Sequence, residues 1–466
     1  MKKLIYISIA SFSVALILFT SSCVKVNQIY PNGTQATQLF KDSAGLSKAL
    51  VGLYSTLEVQ EYYGAYYPLM CDLNSDNGYA GGYNNNAINE FGAYSVTSSN
   101  AFLQNTYVAI YKTIASANAI IAGEATVTGA STQYLNAVKG QALALRAMAH
   151  FDLLRAFGYH WDITSPYGIP VVTTPQTSTS IVPRATVIDT YSAIIADLQQ
   201  SADLLKNNIN RNPNYVNPAV VNALLARVYL YKKDYANAAK FATLVINDGS
   251  YAVLDQNTFT QIYTTKNSKE SVFELPFNSQ TQSGYNAATY ARPTAALTEV
   301  LFALNSDLQS FFQNRPGDLR YNLVDTTNPN GFLRTLKYSS DIKLKDNSAY
   351  VIRISEMYLI RAEALGNTTD GINDLNKIRT NRGLPAYSPS DSEEDGPDYF
   401  QVLADENRAE FNFEGHRYFD LARTGDVVNY LQPLTSATLT VTNSCFPIPL
   451  REINATGGVV VQNPGY

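Results

Sequence analysis

Tryptophan occurs once in the 466 residues, histidine three times and cysteine three times. Histidines and cysteines this scarce and scattered leave no ligand set with the spacing of a metal site. The signatures of nucleophile, zinc and nucleotide chemistry are also missing: no G-x-S-x-G, no His-Glu-x-x-His, no P-loop and no dinucleotide fingerprint. No cofactor is expected. Runs of like charge are absent apart from "DSEEDGPD" (Asp391–Asp398), which reads as a solvated loop. Lys+Arg total 34 against 39 Asp+Glu, a net charge of -5, which argues against nucleic acid as the main partner. Beyond the N-terminus no apolar run is long enough to span a bilayer.

What is present is a chain with 45% hydrophobic residues, enough for a sizeable core. Its N-terminus, "MKKLIYISIASFSVALILFTSSC", has a basic start, a short apolar run and small residues before a cysteine. That is the layout of a secretory signal over residues 1–22. Cys23 directly after the small residues points to a bacterial lipoprotein, cleaved before Cys23 and acylated on its sulfur. An ordinary signal peptide is the plainer alternative, since Thr20 stands where lipoprotein signals prefer Leu. The mature protein would be anchored to a membrane rather than span it. Cys71 and Cys445 then remain, compatible with one disulfide or with two buried thiols.

Helical signals recur along the chain. In "LNAVKGQALALRAMAHFDLLRAFG", Leu143, Ala147, Phe151 and Leu154 fall on one helical face that stops at Gly158. "NPAVVNALLARVYLYKKDYANAAKFATLVINDG" offers Asn217 as N-cap, Pro218 at the first helical position and a break at Lys232-Lys233-Asp234. A second helix follows from about Tyr235 to Ile246, with small residues Ala238, Ala239 and Ala242 where a partner helix approaches. "SEMYLIRAEALGNTTDGINDLNKIRTNRGLP" repeats that shape, with a break at Gly366–Gly371 and a stop at Gly383. Helix–turn–helix units with Ala at packing positions resemble tetratricopeptide repeats. The expected fold is mainly α, a tetratricopeptide-like scaffold carrying large irregular insertions. Residues 60–107 and 250–350, rich in Tyr, Asn, Gly, Thr and Pro, read as loops and short strands. The tail pieces "TLTVTN" and "GGVVVQ" also read as strands.

Those insertions hold the candidate ligand chemistry. A sugar needs flat apolar surfaces for its C–H faces and short polar groups for its hydroxyls. "CDLNSDNGYAGGYNNNAINEFGAY" supplies both, through Asp72, Asn74, Asp76, Tyr79, Tyr83 and Asn85. Asp72, Asn74 and Asp76 also copy the start of a calcium loop, but Asn77 and Tyr83 stand where its Gly and Glu belong. Trp161, straight after a helix end, is a further platform or a plug between elements. Tyr285, Tyr290 and Tyr321, between Gln280 and Tyr338, are equal candidates. Many of the 33 tyrosines will instead pack between helices.

"ENRAEFNFEGHRYFDLARTG" (Glu406–Gly425) crowds acids, arginines and a histidine among aromatics. Taken as one helix from Leu403 to Ala422, it puts Glu406, Glu410, Glu414, Arg417 and Asp420 on one stripe. Four acids there repel unless cations face them, and Arg353, Arg361, Arg379 and Arg382 are at hand. The stretch therefore reads as a helix docked by ion pairs rather than as a catalytic centre.

"VIRISEMYLIRAEA", "INDLNKIRTNRGLP" and the Glu406–Gly425 stretch, in that order, resemble the C-terminal signature of the SusD/RagB family. "ALALRAMAHFDLLRAFG", "YGIPVVT" and "PRATVIDTYSAIIADL" resemble its N-terminal half, and "FPIPLREINA" and "QNPGY" its ending. The resemblance implies an outer-membrane lipoprotein with an N-terminal region over 23–250 and a C-terminal region over 251–466. It implies capture of oligosaccharides or other oligomeric nutrients, delivered to a SusC-type TonB-dependent barrel, without enzymatic activity. A secreted glycoside hydrolase, which needs only two carboxylates, and a helical-repeat adaptor are the competing readings. No ligand contact carries over from the family motifs.

Overall fold

The computed structural model describes residues 39–80, 85–177, 179–278, 280–281, 302–326, 333–338, 346–389 and 398–466. Cys23, Tyr83, Tyr285 and Tyr290 lie outside them.

Eight helices form the scaffold: α1 Ser43–Leu57, α2 Ala101–Gly123, α3 Thr132–Phe157, α4 Val187–Leu205, α5 Pro218–Tyr231, α6 Tyr235–Ile246, α7 Ile354–Leu365 and α8 Thr369–Asn381. Each packs on the next in this order, including α6 on α7 across the long intervening segment. Stacked antiparallel pairs of this kind make a tetratricopeptide-like superhelix. The caps explain the starts. Asp42, Asn100, Ser131, Thr186, Asn217, Asp234 and Thr368 each accept a backbone N–H of the first turn. Asn217, Pro218 and the Tyr235–Ile246 bounds stand as the spacing predicts, and Lys233 in the break takes a left-handed φ of 62°. Ala238, Ala242 and Ala362 are fully buried where helices meet.

Three expectations need correction. Gly371 is inside α8, not in the break, which is Gly366–Thr368. A Cβ at Gly371 would sit 2.1 Å from the Gly366 carbonyl oxygen, so glycine there permits the tight turn. Residues 60–107 are not mainly loops: they hold the short helices Tyr66–Leu73 and Asn86–Gly92 and the start of α2. Tyr62, Tyr63, Tyr67, Tyr94 and Tyr107 are buried, and Tyr62 and Tyr63 donate to the buried Asp152 carboxylate at 2.6 and 2.8 Å. The tail pieces form no strands: Val441–Ser444 is a 3-10 turn boxed by Thr440 and Asn443, and Gly457 and Gly458 have positive φ. Cys71 and Cys445 are buried free thiols.

Among the irregular segments, strand β1 (Ser271–Leu275) pairs antiparallel with β2 (Ala349–Arg353). Both lead into the charged centre of the molecule. The Glu406–Gly425 stretch is two helices, α9 (Tyr399–Phe411) and α10 (Arg417–Thr424), not one. Phe413 and Gly415, both left-handed, break it; a Cβ on Gly415 would lie 2.7 Å from Pro68 Cα. Glu410, at the end of α9, accepts from Arg353 at 2.7 Å, from Arg382 at 2.9 and 3.0 Å and from Arg320 at 3.2 Å. Glu414 accepts from Arg353 at 2.8 and 3.0 Å and from Lys337 at 2.7 Å. Glu270 shares Arg353 and Arg382 with Glu410, and Glu406 pairs with Arg315 and Arg379. Arg353 and Arg379 and Arg382 are therefore the partners the charge pattern calls for. Arg361 is not: it pairs with Asp374 within the α7–α8 hairpin. Burial opposes ionisation of Glu410, but Arg382 and Arg353 override it and hold the carboxyl well below its usual range.

Glu410→Gln is expected to cost about 3–5 kcal/mol, because it leaves buried guanidiniums short of charge; the urea midpoint reads it, and a loss below about 1 kcal/mol would contradict this account. Acid tests a second buried set. Burial, with Arg146 beside it, pushes His150 down to about 3, and burial beside Arg155 holds His160 well below 6.5. The unfolded chain takes up these protons near 6.5 and the folded one does not, so stability falls as pH drops below about 6.5, by about 1.4 kcal/mol per unit for each proton. Neither ring nitrogen of His160 has a hydrogen-bond partner among the described residues, so His160→Phe is expected to keep its stability at pH 7.5 and to lose less of it at pH 5.

Candidate functional site

The sequence candidates divide between the interior and the surface. Asp72, Asn74 and Asp76 are 0, 5 and 2% exposed, so they are not open to a ligand as the loop chemistry suggested. Asp76 accepts both arms of Arg417, at 2.8 and 2.7 Å. Burial disfavours the Asp76 carboxylate, but the Arg417 guanidinium outweighs it and holds the group below its ordinary value. Asp72 accepts the Gly415 N–H, at 3.3 Å. No group of three or more His, Cys, Asp or Glu among the described residues is placed to hold a metal ion.

These buried acids hold up Tyr79, which is 41% exposed. Arg408 donates to the Asp76 carbonyl at 2.7 Å, to Asn77 Oδ1 at 3.1 Å and to Asp307 at 2.7 Å. Asn305 donates to the same Asp76 carbonyl at 2.9 Å, and the Tyr94 hydroxyl to the Ser75 carbonyl at 2.9 Å. Segment 74–77 is thus clamped from α9, α10 and two loops. Directly after it, Gly78 and Tyr79 form an antiparallel ladder with Leu304 and Ala303. A Cβ at Gly78 would lie 2.5 Å from the Ala303 carbonyl oxygen and from the Phe302 ring, so the ladder closes only on glycine. Phe302 in turn packs edge-on against Phe413 of the helix break, at 5.1 Å.

The ladder joins the two candidate regions that the sequence left unconnected, the 72–94 segment and the one from Gln280 to Tyr338. Asn85 lies six residues beyond Tyr79, half-buried, and its side chain caps the Asn86–Gly92 helix by accepting from Ala87 at 3.0 Å. Tyr321 is half-buried and stacks on Phe312, at 5.9 Å. Trp161 sits elsewhere: it stacks on Tyr159 at 4.7 Å and 25°, and the Tyr159 hydroxyl donates to the Pro464 carbonyl. Half-buried, it packs at the join between the α3 end and the C-terminal segment. Arg408, Asn305 and Asp307, which organise the Tyr79 ladder, carry no local signal in the sequence, since their partners are hundreds of residues away.

Residues 31–230 match the family model described as starch-binding, associating with the outer membrane, and residues 250–466 match the SusD family model. The chain belongs to the SusD/RagB family. Among curated relatives, SusD-like protein P2 of Formosa agariphila is 22% identical, over 97% of this chain and 98% of its own. A crystal structure of a SusD superfamily protein from Bacteroides thetaiotaomicron superposes with a TM-score of 0.79 at 25% identity, covering 90% of this chain and 99% of that one. A laminarin binding SusD-like protein superposes with a TM-score of 0.77 at 22% identity, over 91% of this chain and all of that one, a likeness of fold. SusD-family proteins bind glycans and are not enzymes, so the carboxylates of the Glu406–Gly425 stretch are read as structural ion pairs.

Arg417→Ala is expected to cost about 3 kcal/mol by leaving the buried Asp76 carboxylate with only the longer Arg408 contact, at 3.4 Å. It should also release the amides of residues 76–79 to hydrogen exchange, with Arg417→Lys in between because it keeps the charge and loses the fork. A variant as stable and as protected as the wild type would contradict the clamp.

Proposed function

We propose that this protein is a surface lipoprotein of the outer membrane that captures an oligosaccharide and hands it to a SusC-type TonB-dependent transporter. The observation that carries the reading is the Gly78–Tyr79 ladder on Ala303–Leu304, which sets an exposed tyrosine on a clamped edge where two segments distant in sequence meet. An exposed tyrosine on a clamped backbone offers a sugar a platform whose ordering is already complete before the ligand arrives, which favours affinity. A family of starch-binding proteins that associate with the outer membrane agrees with that chemistry. Lipidation at Cys23 after removal of residues 1–22 would supply the anchor, and no helix among the described residues is long and apolar enough to cross a membrane. Residues 23–250 and 251–466 then act as the two regions of one binding body. In this reading Tyr79 contacts the glycan, Tyr83 and Asn85 are further contacts proposed from the same sequence segment, and Asp72, Asn74 and Asp76 hold the backbone beneath Tyr79.

The test is binding and retention in the same cells. Tyr79→Ala is expected to weaken retention of immobilised neutral oligosaccharides about tenfold or more with an unchanged melting temperature. Cys23→Ala is expected to fold normally, to leave the membrane fraction and to stop co-purifying with a large barrel protein. Turnover of any bound glycan, or full membrane retention of Cys23→Ala, would overturn the proposal.

A further inference from the structure

A concave surface lies on the helical scaffold, and none of the loop candidates lines it. A cleft of about 480 Å³ opens between the α5–α6 turn, the C-terminal end of α7 and the first turn of α9. It continues into a shallower cleft of about 310 Å³ between α9, α10 and the residues that follow α10. Glu363, Phe400, Arg423 and Thr424 line both, so the two are one groove. Phe400 stands in it, 54% exposed. Its ring meets Tyr399 edge-on, at 5.3 Å and 83°, and rests near the Gly366 backbone, where a Cβ would be 3.8 Å from Cζ. The ring is thereby held from beneath and one side and keeps an open face.

The arginines of the groove are already paired, Arg417 with the buried Asp76 and Arg423 within the groove itself. Arg423 grips Glu363 with two bonds, at 2.5 and 2.8 Å, and its Nε donates to Asp420 at 2.9 Å. An anionic ligand such as a phosphate would find the guanidinium occupied. An apolar helix or strand of a partner would need a continuous apolar stripe, whereas Phe400 is flanked by Asp398, Gln401 and Asn407. At the far end the Tyr430 hydroxyl and the Gln401 side-chain amide bond each other at 3.2 Å near the surface, with the Arg417 guanidinium stacked 4.7 Å over the Tyr430 ring. An open aromatic face, uncharged hydroxyl and amide groups and a volume within the range of small-ligand sites suit one ligand class. It is a neutral chain of alternating C–H faces and hydroxyls.

We infer that this groove is a second oligosaccharide site, with Phe400 as its platform and Tyr430 and Gln401 as its polar end, apart from the Tyr79 edge. The inference rests on the glycan-binding reading but uses none of its contact residues. Two sites on one chain would hold one glycan at two points, or two glycans at once, and raise retention on long chains by effective concentration.

The experiment screens an array of neutral oligosaccharides that includes maltoheptaose and laminarihexaose. The tightest binder then goes into calorimetric titrations with wild type, Phe400→Ala, Tyr79→Ala and the double variant. Wild type is expected to bind two equivalents. Phe400→Ala should lose one of them, or weaken it about tenfold or more, at an unchanged melting temperature. Tyr79→Ala should lose the other. Phe400→Ala indistinguishable from wild type for every glycan would overturn the groove, and if Tyr79→Ala then abolished all binding, the proposed function would stand without it. A single site lost only in Phe400→Ala would support the groove and sink the Tyr79 edge. No retention of any glycan by wild type would sink both.

Discussion

The buried ion-pair network around Glu410 is the interaction on which the rest depends. Arg353, at the junction of β2 and α7, and Arg382, just past α8, both reach Glu410 and Glu270. Taking these charges out of water costs several kcal/mol per ion, and only near-complete pairing offsets it. The pairing holds at one relative placement of α7, α8, α9 and the β1–β2 ladder. Segments distant in sequence are thus locked together by a cluster that is expensive in any other arrangement.

The break between α9 and α10 carries that placement outward. Glu406, Glu410 and Glu414 join the network, while Arg417, just past the left-handed Phe413 and Gly415, pairs instead with Asp76. A continuous helix would have kept all of them on one stripe. Because the chain turns, one short stretch stabilises the charged centre and also fixes the backbone beneath Tyr79. Arg408 adds a third hold by joining α9 to both halves of the Tyr79 ladder. A binding edge built this way loses little conformational entropy when a ligand docks.

The scaffold helices were legible in the sequence because their signals are local. Asn217 caps its own helix, Pro218 fits the first turn, and Ala238 and Ala242 mark the approach of a neighbour within one hairpin. The need of the Glu406–Glu414 acids for cations was legible too, since like charges on one helix face must be answered. Three of the cations were not: Arg315, Arg320 and Lys337 come from irregular segments whose path no periodicity records. The polar loop residues misled for a related reason. Asp72, Asn74 and Asp76 have the composition of a sugar-binding loop, yet arginines and backbone groups more than three hundred residues away draw them inside.

By itself, then, the sequence determined the helical hairpins, their caps, the absence of any recognised catalytic motif and the ordered motifs of the SusD/RagB family. Tertiary structure alone decided which polar residues face solvent, where the two Tyr-rich segments meet, and that Phe400 stands open in a groove. Helix signals act over three or four residues, so they survive in a linear reading. Burial and ion pairing depend on what the fold brings alongside, and an aspartate reads the same in sequence whether it meets water or Arg417.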